Sequence, residues 1–173
     1  EIMSQIRGGH NFNKVRFSYN EEIFCHERTV DIVIAFDRTS IESHLEDIKD
    51  GGIFVYDEGV KIDDLKTPEF ASRKIEFLPI KLEAVAGKVG GEIYKNVITI
   101  GVIAGLVGIE AGVFEKVLKD EFGDKSATIL QDNFEALREG ISMAGEARFK
   151  QNKISDGKIS GSGKMLLNGN DAV

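Results

Sequence analysis

Hydrophobic and polar positions alternate between two periods along this chain, and the order in which they do so outlines its architecture. Lys14 to Ser18 (KVRFS) has period two, with Val15 and Phe17 on one face and Arg16 on the other, the pattern of a half-buried strand. Tyr19-Asn20-Glu21-Glu22 reads as a polar turn and Ile23-Phe24-Cys25 as a short return, so a hairpin is expected. Asp31 to Phe36 (DIVIAF) is a continuous apolar run, as in strands covered by helices on both faces. Thr39 and Glu42 are spaced as a capping box, and Ile41, Leu45 and Ile48 then share a helical face. Lys49-Asp50-Gly51-Gly52 is expected to stop that helix, and Ile53 to Tyr56 is a second buried strand. Residues 31–56 therefore predict a strand–helix–strand unit with a parallel pair.

Asp57 to Lys74 is loop-like and contains Pro68, and Ile75 to Leu78 is a third strand candidate ended by Pro79. From Lys81 the period becomes helical. Gly90-Gly91 breaks it, and Ile93 to Val107 forms a helix that is apolar nearly all round. Gly101 and Gly105 lie one turn apart on it, a spacing that lets another backbone approach closely. The approach can be internal packing or dimerisation. Phe114, Val117, Leu118 and Phe122 make an amphipathic stripe ended by Gly123. A long helix is predicted from Ser126 to about Phe149, with Leu130, Phe134, Leu137, Ile141 and Ala144 on one face, roughly 36 Å in length. Strands first, with helices between and after them, predict an α/β, Rossmann-like three-layer domain with a mostly parallel sheet and C-terminal helices. Gln151 to Lys164 is polar and carries glycines at 157, 161 and 163, so it reads as a linker. Residue 1 is Glu and the last residues read like the start of a new element, so the expectation is a piece of a longer protein.

Composition narrows the function. The net charge is −7, and an acidic chain makes a poor nucleic-acid binder. The 173 residues include one cysteine, Cys25, which excludes an internal disulfide and fits a cytoplasmic chain. The longest nearly apolar run, Val97 to Ile109, is shorter than the roughly 20 residues of a membrane span. Cys25 and His26 adjoin, but neighbours on a strand point to opposite faces and cannot form a nucleophile–base pair. His10, His26 and His44 share no metal-ligand spacing, so no metal is expected, and His44 is expected to face solvent.

Asp57 and Glu58 follow a buried strand, where open α/β sheets bind ligands. Asp37 and Asp57 both follow strands, which leaves a receiver-like or small nucleotide-binding module open. Arg7-Gly8-Gly9-His10-Asn11 is a loop in which two glycines permit close approach to a partner and Arg7 can fork onto carboxylate or phosphate. It reads equally well as a tight turn.

Ser4-Gln5-Ile6-Arg7-Gly8-Gly9-His10-Asn11-Phe12 resembles the S-x-x-R-G-G motif of the gamma domain of 2-oxoacid:ferredoxin oxidoreductases. DIVIAFDRTSIESHLEDIKDGGIFVYD is similar to that family's strand–helix–strand segment, and Asn96 with the Gly-bearing helix to its downstream block. Met165 to Val173 resembles the opening of the family's alpha, thiamine-pyrimidine-binding domain. The resemblance implies a gamma-type domain over residues 1–150, a linker over 151–164 and the start of an alpha domain at 165–173. It also implies that a glycine-rich strand–turn–helix of the family lies upstream of the residues present.

For the complex as a whole, the resemblance implies thiamine diphosphate with Mg, an iron–sulfur cluster, and oxidative decarboxylation of a 2-oxoacid, 2-oxoglutarate or a broader set. Electrons pass to ferredoxin and the acyl group to coenzyme A. It implies a beta subunit as partner and a homo- or hetero-oligomer. Within this chain it implies no catalytic residue and no metal, and assigns coenzyme A binding to Arg7, Gly8, Gly9 and Asn11.

Overall fold

The computed structural model describes residues 12–16, 18, 22–25, 27–123 and 125–145. The chain divides into two units, Thr29–Lys153 and the segments on either side of it.

In the larger unit, three described strands form one parallel sheet in the order β1 (Val30–Ala35), β2 (Ile48–Asp57), β3 (Glu76–Ile80). The register runs Ile32 to Ile53, Ala35 to Tyr56, Phe54 to Phe77 and Asp57 to Ile80. Alternation sends successive side chains to opposite faces, and each face has its own apolar layer. On one side Val33, Ala35, Phe54 and Tyr56 pack with Ile41 of helix α1 (Arg38–His44), with Ile62, and with Phe70 of the short helix α2 (Pro68–Ser72). On the other, Ile53, Val55 and Ile80 pack under α3 (Leu82–Val89), α4 (Lys95–Val107), α5 (Ala111–Phe122) and α6 (Ala127–Ala144). This is the expected α/β three-layer arrangement with C-terminal helices, because strands buried on both faces need an apolar layer on each.

Several boundaries fall elsewhere than expected, each for a local reason. The helix after β1 begins two residues early: Asp37, not Thr39, is its N-cap, its carboxylate accepting from Ser40 N–H at 2.7 Å. It ends at His44, and a 3₁₀ turn Leu45–Asp47 leads straight into β2, which starts at Ile48. Gly51-Gly52 is therefore no helix stop. It lies in an irregularity of β2, where pairing passes from Val30–Ile48 to Ile32–Ile53. Gly51 has φ +75°, and a Cβ on Gly52 would lie 2.8 Å from the Asp31 carbonyl oxygen, so both positions require glycine. The Arg73 carbonyl accepts from Gly51 N–H, and the Arg73 side chain reaches Asp50 and the Ile48 carbonyl, bracing the excursion.

The loop expected over Asp57–Lys74 contains α2, with Pro68 at its start where a missing N–H costs nothing. Pro79 does not end β3 but sits inside it, tolerated because β3 is an edge of the described sheet. The last helix closes at Gly145, φ +52°, about 27 Å long; the residues expected to extend it lie outside those described.

The small-residue face of α4 is used inside the fold. A Cβ on Gly101 would lie 2.2 Å from the Leu137 carbonyl oxygen, and one on Gly140 would lie 2.0 Å from that of Ile98. Two helices thus meet glycine to glycine, Gly101 against Gly140, with Gly105 over Ala144 one turn further.

In the other unit, the hairpin expected over Lys14–Ser18 and Ile23–Cys25 forms no strand among the described residues. Side chains tie its limbs instead. Lys14 Nζ donates to the carbonyls of Glu27 and Arg28, and Arg16 donates to the Cys25 carbonyl and pairs with Glu27. Val15, expected on the half-buried face of that alternation, is 80% exposed.

Candidate functional site

The C-terminal ends of parallel strands gather loops on one edge of a sheet, and on that edge of the larger unit β1 and β2 lead into acidic residues. β1 delivers Phe36, which is 42% exposed, and then Asp37. β2 delivers Asp57, which is buried, and then Glu58.

The Asp57 carboxylate accepts from Gly59 N–H at 2.9 Å and from Glu83 N–H, in the first turn of α3, at 3.0 Å. It thereby closes the turn after β2 and serves one of the unpaired N–H groups at the start of a helix 26 positions away. Glu58 N–H continues the ladder to the Ile80 carbonyl. Both acidic residues that allowed a receiver-like reading are thus engaged in local structure: Asp37 caps α1 and Asp57 caps α3.

The loop that follows is held at two points. Ile62 is buried in the α1-side layer. Arg38, at the start of α1, forks onto Asp64 at 2.9 and 2.6 Å, donates to Glu42 at 2.7 Å and to the Lys61 carbonyl at 2.8 Å. The hydrogen bonds to Asp64, then to Glu42, raise the affinity of the guanidinium for its proton, and the bond from Arg38 in turn lowers the Asp64 pKa. A cation in the first turn of a helix opposes the helix dipole, and the two carboxylates offset that cost. Nothing in the sequence signals this pair, whose members lie 26 positions apart.

Other polar groups are structural. His44, expected at the surface, is only 19% exposed and its Nδ1 lies 2.8 Å from Asp47 Oδ2. Tyr94 is buried and donates to Asp132, and burial first, then that bond, raises its pKa. Lys95 bonds to Glu83, which raises its pKa despite partial burial. Among the described residues no group of His, Cys, Asp and Glu can hold a metal ion. Cys25 is exposed, and His26, its neighbour in sequence, lies outside the described residues. Arg7, Gly8, Gly9 and Asn11 also lie outside them, as do the expected linker and the start of the next domain. The described edge therefore organises loops and carries neither a nucleophile–base pair nor a metal-binding donor set.

Comparison with known proteins supplies what this geometry does not. Residues 1–143 match the family described as pyruvate ferredoxin/flavodoxin oxidoreductase. The chain is 24% identical to 2-oxoacid:ferredoxin oxidoreductase 2, subunit alpha, of Aeropyrum pernix over 212 aligned residues, covering 100% of this chain and 33% of that protein. It is 27% identical to ketoisovalerate oxidoreductase subunit VorA of Methanothermobacter thermautotrophicus over 120 residues, 68% of this chain and 24% of that one. The chain thus spans between about a quarter and a third of the length of these relatives.

Among solved structures, 2-oxoglutarate:ferredoxin oxidoreductase from Magnetococcus marinus, with 2-oxoglutarate, coenzyme A and succinyl-CoA bound, superposes with a TM-score of 0.63 at 30% identity. That match covers 72% of this chain and 21% of the other. The gamma subunit of a keto/oxoacid ferredoxin oxidoreductase from Geobacter sulfurreducens shares the fold, with a TM-score of 0.51 at 20% identity over 66% of this chain and 63% of that one.

Proposed function

Because the chain belongs to the pyruvate ferredoxin/flavodoxin oxidoreductase family, with homologues among the alpha subunits of 2-oxoacid:ferredoxin oxidoreductases, we propose that it is the coenzyme A-binding and assembly domain of such an enzyme. One observation carries the reading: the α/β body superposes, at 30% identity over 72% of the chain, on part of an oxidoreductase that holds coenzyme A. Membership of this family replaces the receiver-like alternative.

In this reading the complex oxidises a 2-oxoacid, 2-oxoglutarate or a broader set. The C1 carboxyl leaves as CO2, two electrons pass to ferredoxin, and the acyl group is transferred to the coenzyme A sulfur as the thiol proton is released. Thiamine diphosphate with Mg would supply the carbanion chemistry, and an iron–sulfur cluster would supply a path for the electrons. This chain's residues do not fit those groups: the whole sequence has one cysteine where a cluster takes several thiolates, and the described residues hold no metal-binding donor set. The share of the chain is recognition and support. The Arg7-Gly8-Gly9-His10-Asn11 segment is the proposed coenzyme A contact, the Arg7 guanidinium being suited to a phosphate. In this reading the enzyme is cytoplasmic and has a beta subunit, and residues 1–150 act as the gamma-type unit, 151–164 as a linker and 165–173 as the entry to an alpha domain.

The test is Arg7→Ala in the assembled enzyme. The expected result is a raised KM for coenzyme A with 2-oxoacid decarboxylation largely retained. Unchanged coenzyme A kinetics together with a loosened assembly would favour a purely structural interaction domain. The chain alone, given 2-oxoglutarate, coenzyme A and a viologen acceptor, is expected to reduce nothing.

A further inference from the structure

We draw no further inference here: the strongest candidate, the shallow apolar groove between α4 and α5 lined by Val97, Ile100, Phe114, Val117, Leu118 and Leu137, carries none, because nothing in the structure shows what covers it.

Discussion

Replacing Gly101 by alanine adds one methyl group where two helices already touch backbone to backbone. Its Cβ would lie 2.2 Å from the Leu137 carbonyl oxygen, 3.0 Å from Gly140 Cα and 3.0 Å from Ile141 N. A comfortable carbon–oxygen approach is about 3.3 Å or more, so α4 and α6 must part by about 1 Å. The obstructing atom is a helix carbonyl and cannot swing aside as a side chain would. A gap of that size forfeits about a quarter to a half of each dispersion contact along the seam, which includes Ile98, Val102 and Leu137. Overpacking of this kind costs about 1–3 kcal/mol, whereas exchanging glycine for alanine within a helix returns up to about 1 kcal/mol.

The expected net loss is about 1–2 kcal/mol, a fall in Tm of roughly 3–10 °C for a domain of this size. Thermal and urea unfolding followed by circular dichroism at 222 nm would read it. Gly87→Ala in α3 is the control: a Cβ there meets nothing within 4 Å, so only the propensity gain remains and the Tm should rise slightly. Gly101→Ala and Gly140→Ala intrude on the same contact, so their costs should sum to more than the double variant loses. A Gly101→Ala protein as stable as its parent would refute the packing argument, and Gly101→Leu should fail to form the helix pair at all.

Asp57→Ala should lower stability by about 1–3 kcal/mol in urea unfolding, because two backbone N–H groups lose one buried acceptor, and Asp57→Asn should lose less. Arg38 depresses the Asp64 pKa, so the loop's anchorage is present at neutral pH and is lost as pH falls through the folded-state pKa. Amide exchange across residues 58–67, corrected for intrinsic rates, should therefore rise on acidification in the parent but be fast at both pH values in Asp64→Asn; equal protection in both proteins would contradict the latch. Tyr94 has a raised pKa, so its contribution holds below the ordinary tyrosine range and fades as pH rises through the folded value. Tyr94→Phe should flatten the alkaline limb of the stability profile, and an unchanged limb would count against that assignment.

The three strands, the parallel strand–helix–strand unit and the amphipathic helices were legible from periodicity because each depends on which faces of one local segment are apolar. Val33 and Phe54 against one layer, Ile53 and Val55 against the other, follow directly from runs apolar on both faces. The family was legible too, since a run such as Ser4 to Phe12 is carried by the order of residues and needs no coordinates. What escaped were choices between local alternatives that distant residues decide. Thr39 and Glu42 are spaced as a capping box, but Asp37 captures Ser40 N–H and starts the helix earlier. Gly51-Gly52 looks the same as a helix stop and as a strand irregularity until Arg73 and Asp31 come into contact with it.

Gly101 and Gly105 announce a close approach without naming the partner, and only tertiary packing supplies Gly140 and Ala144. Asp57 was visible as a strand-end acid. Its work on Glu83 N–H, like the fork of Arg38 on Asp64, joins groups 26 positions apart. A one-dimensional pattern carries the preferences of neighbours within a few residues, whereas a hydrogen bond or a helix crossing is satisfied by whichever group the folded chain brings within about 3 Å, and that is settled only when the layers close.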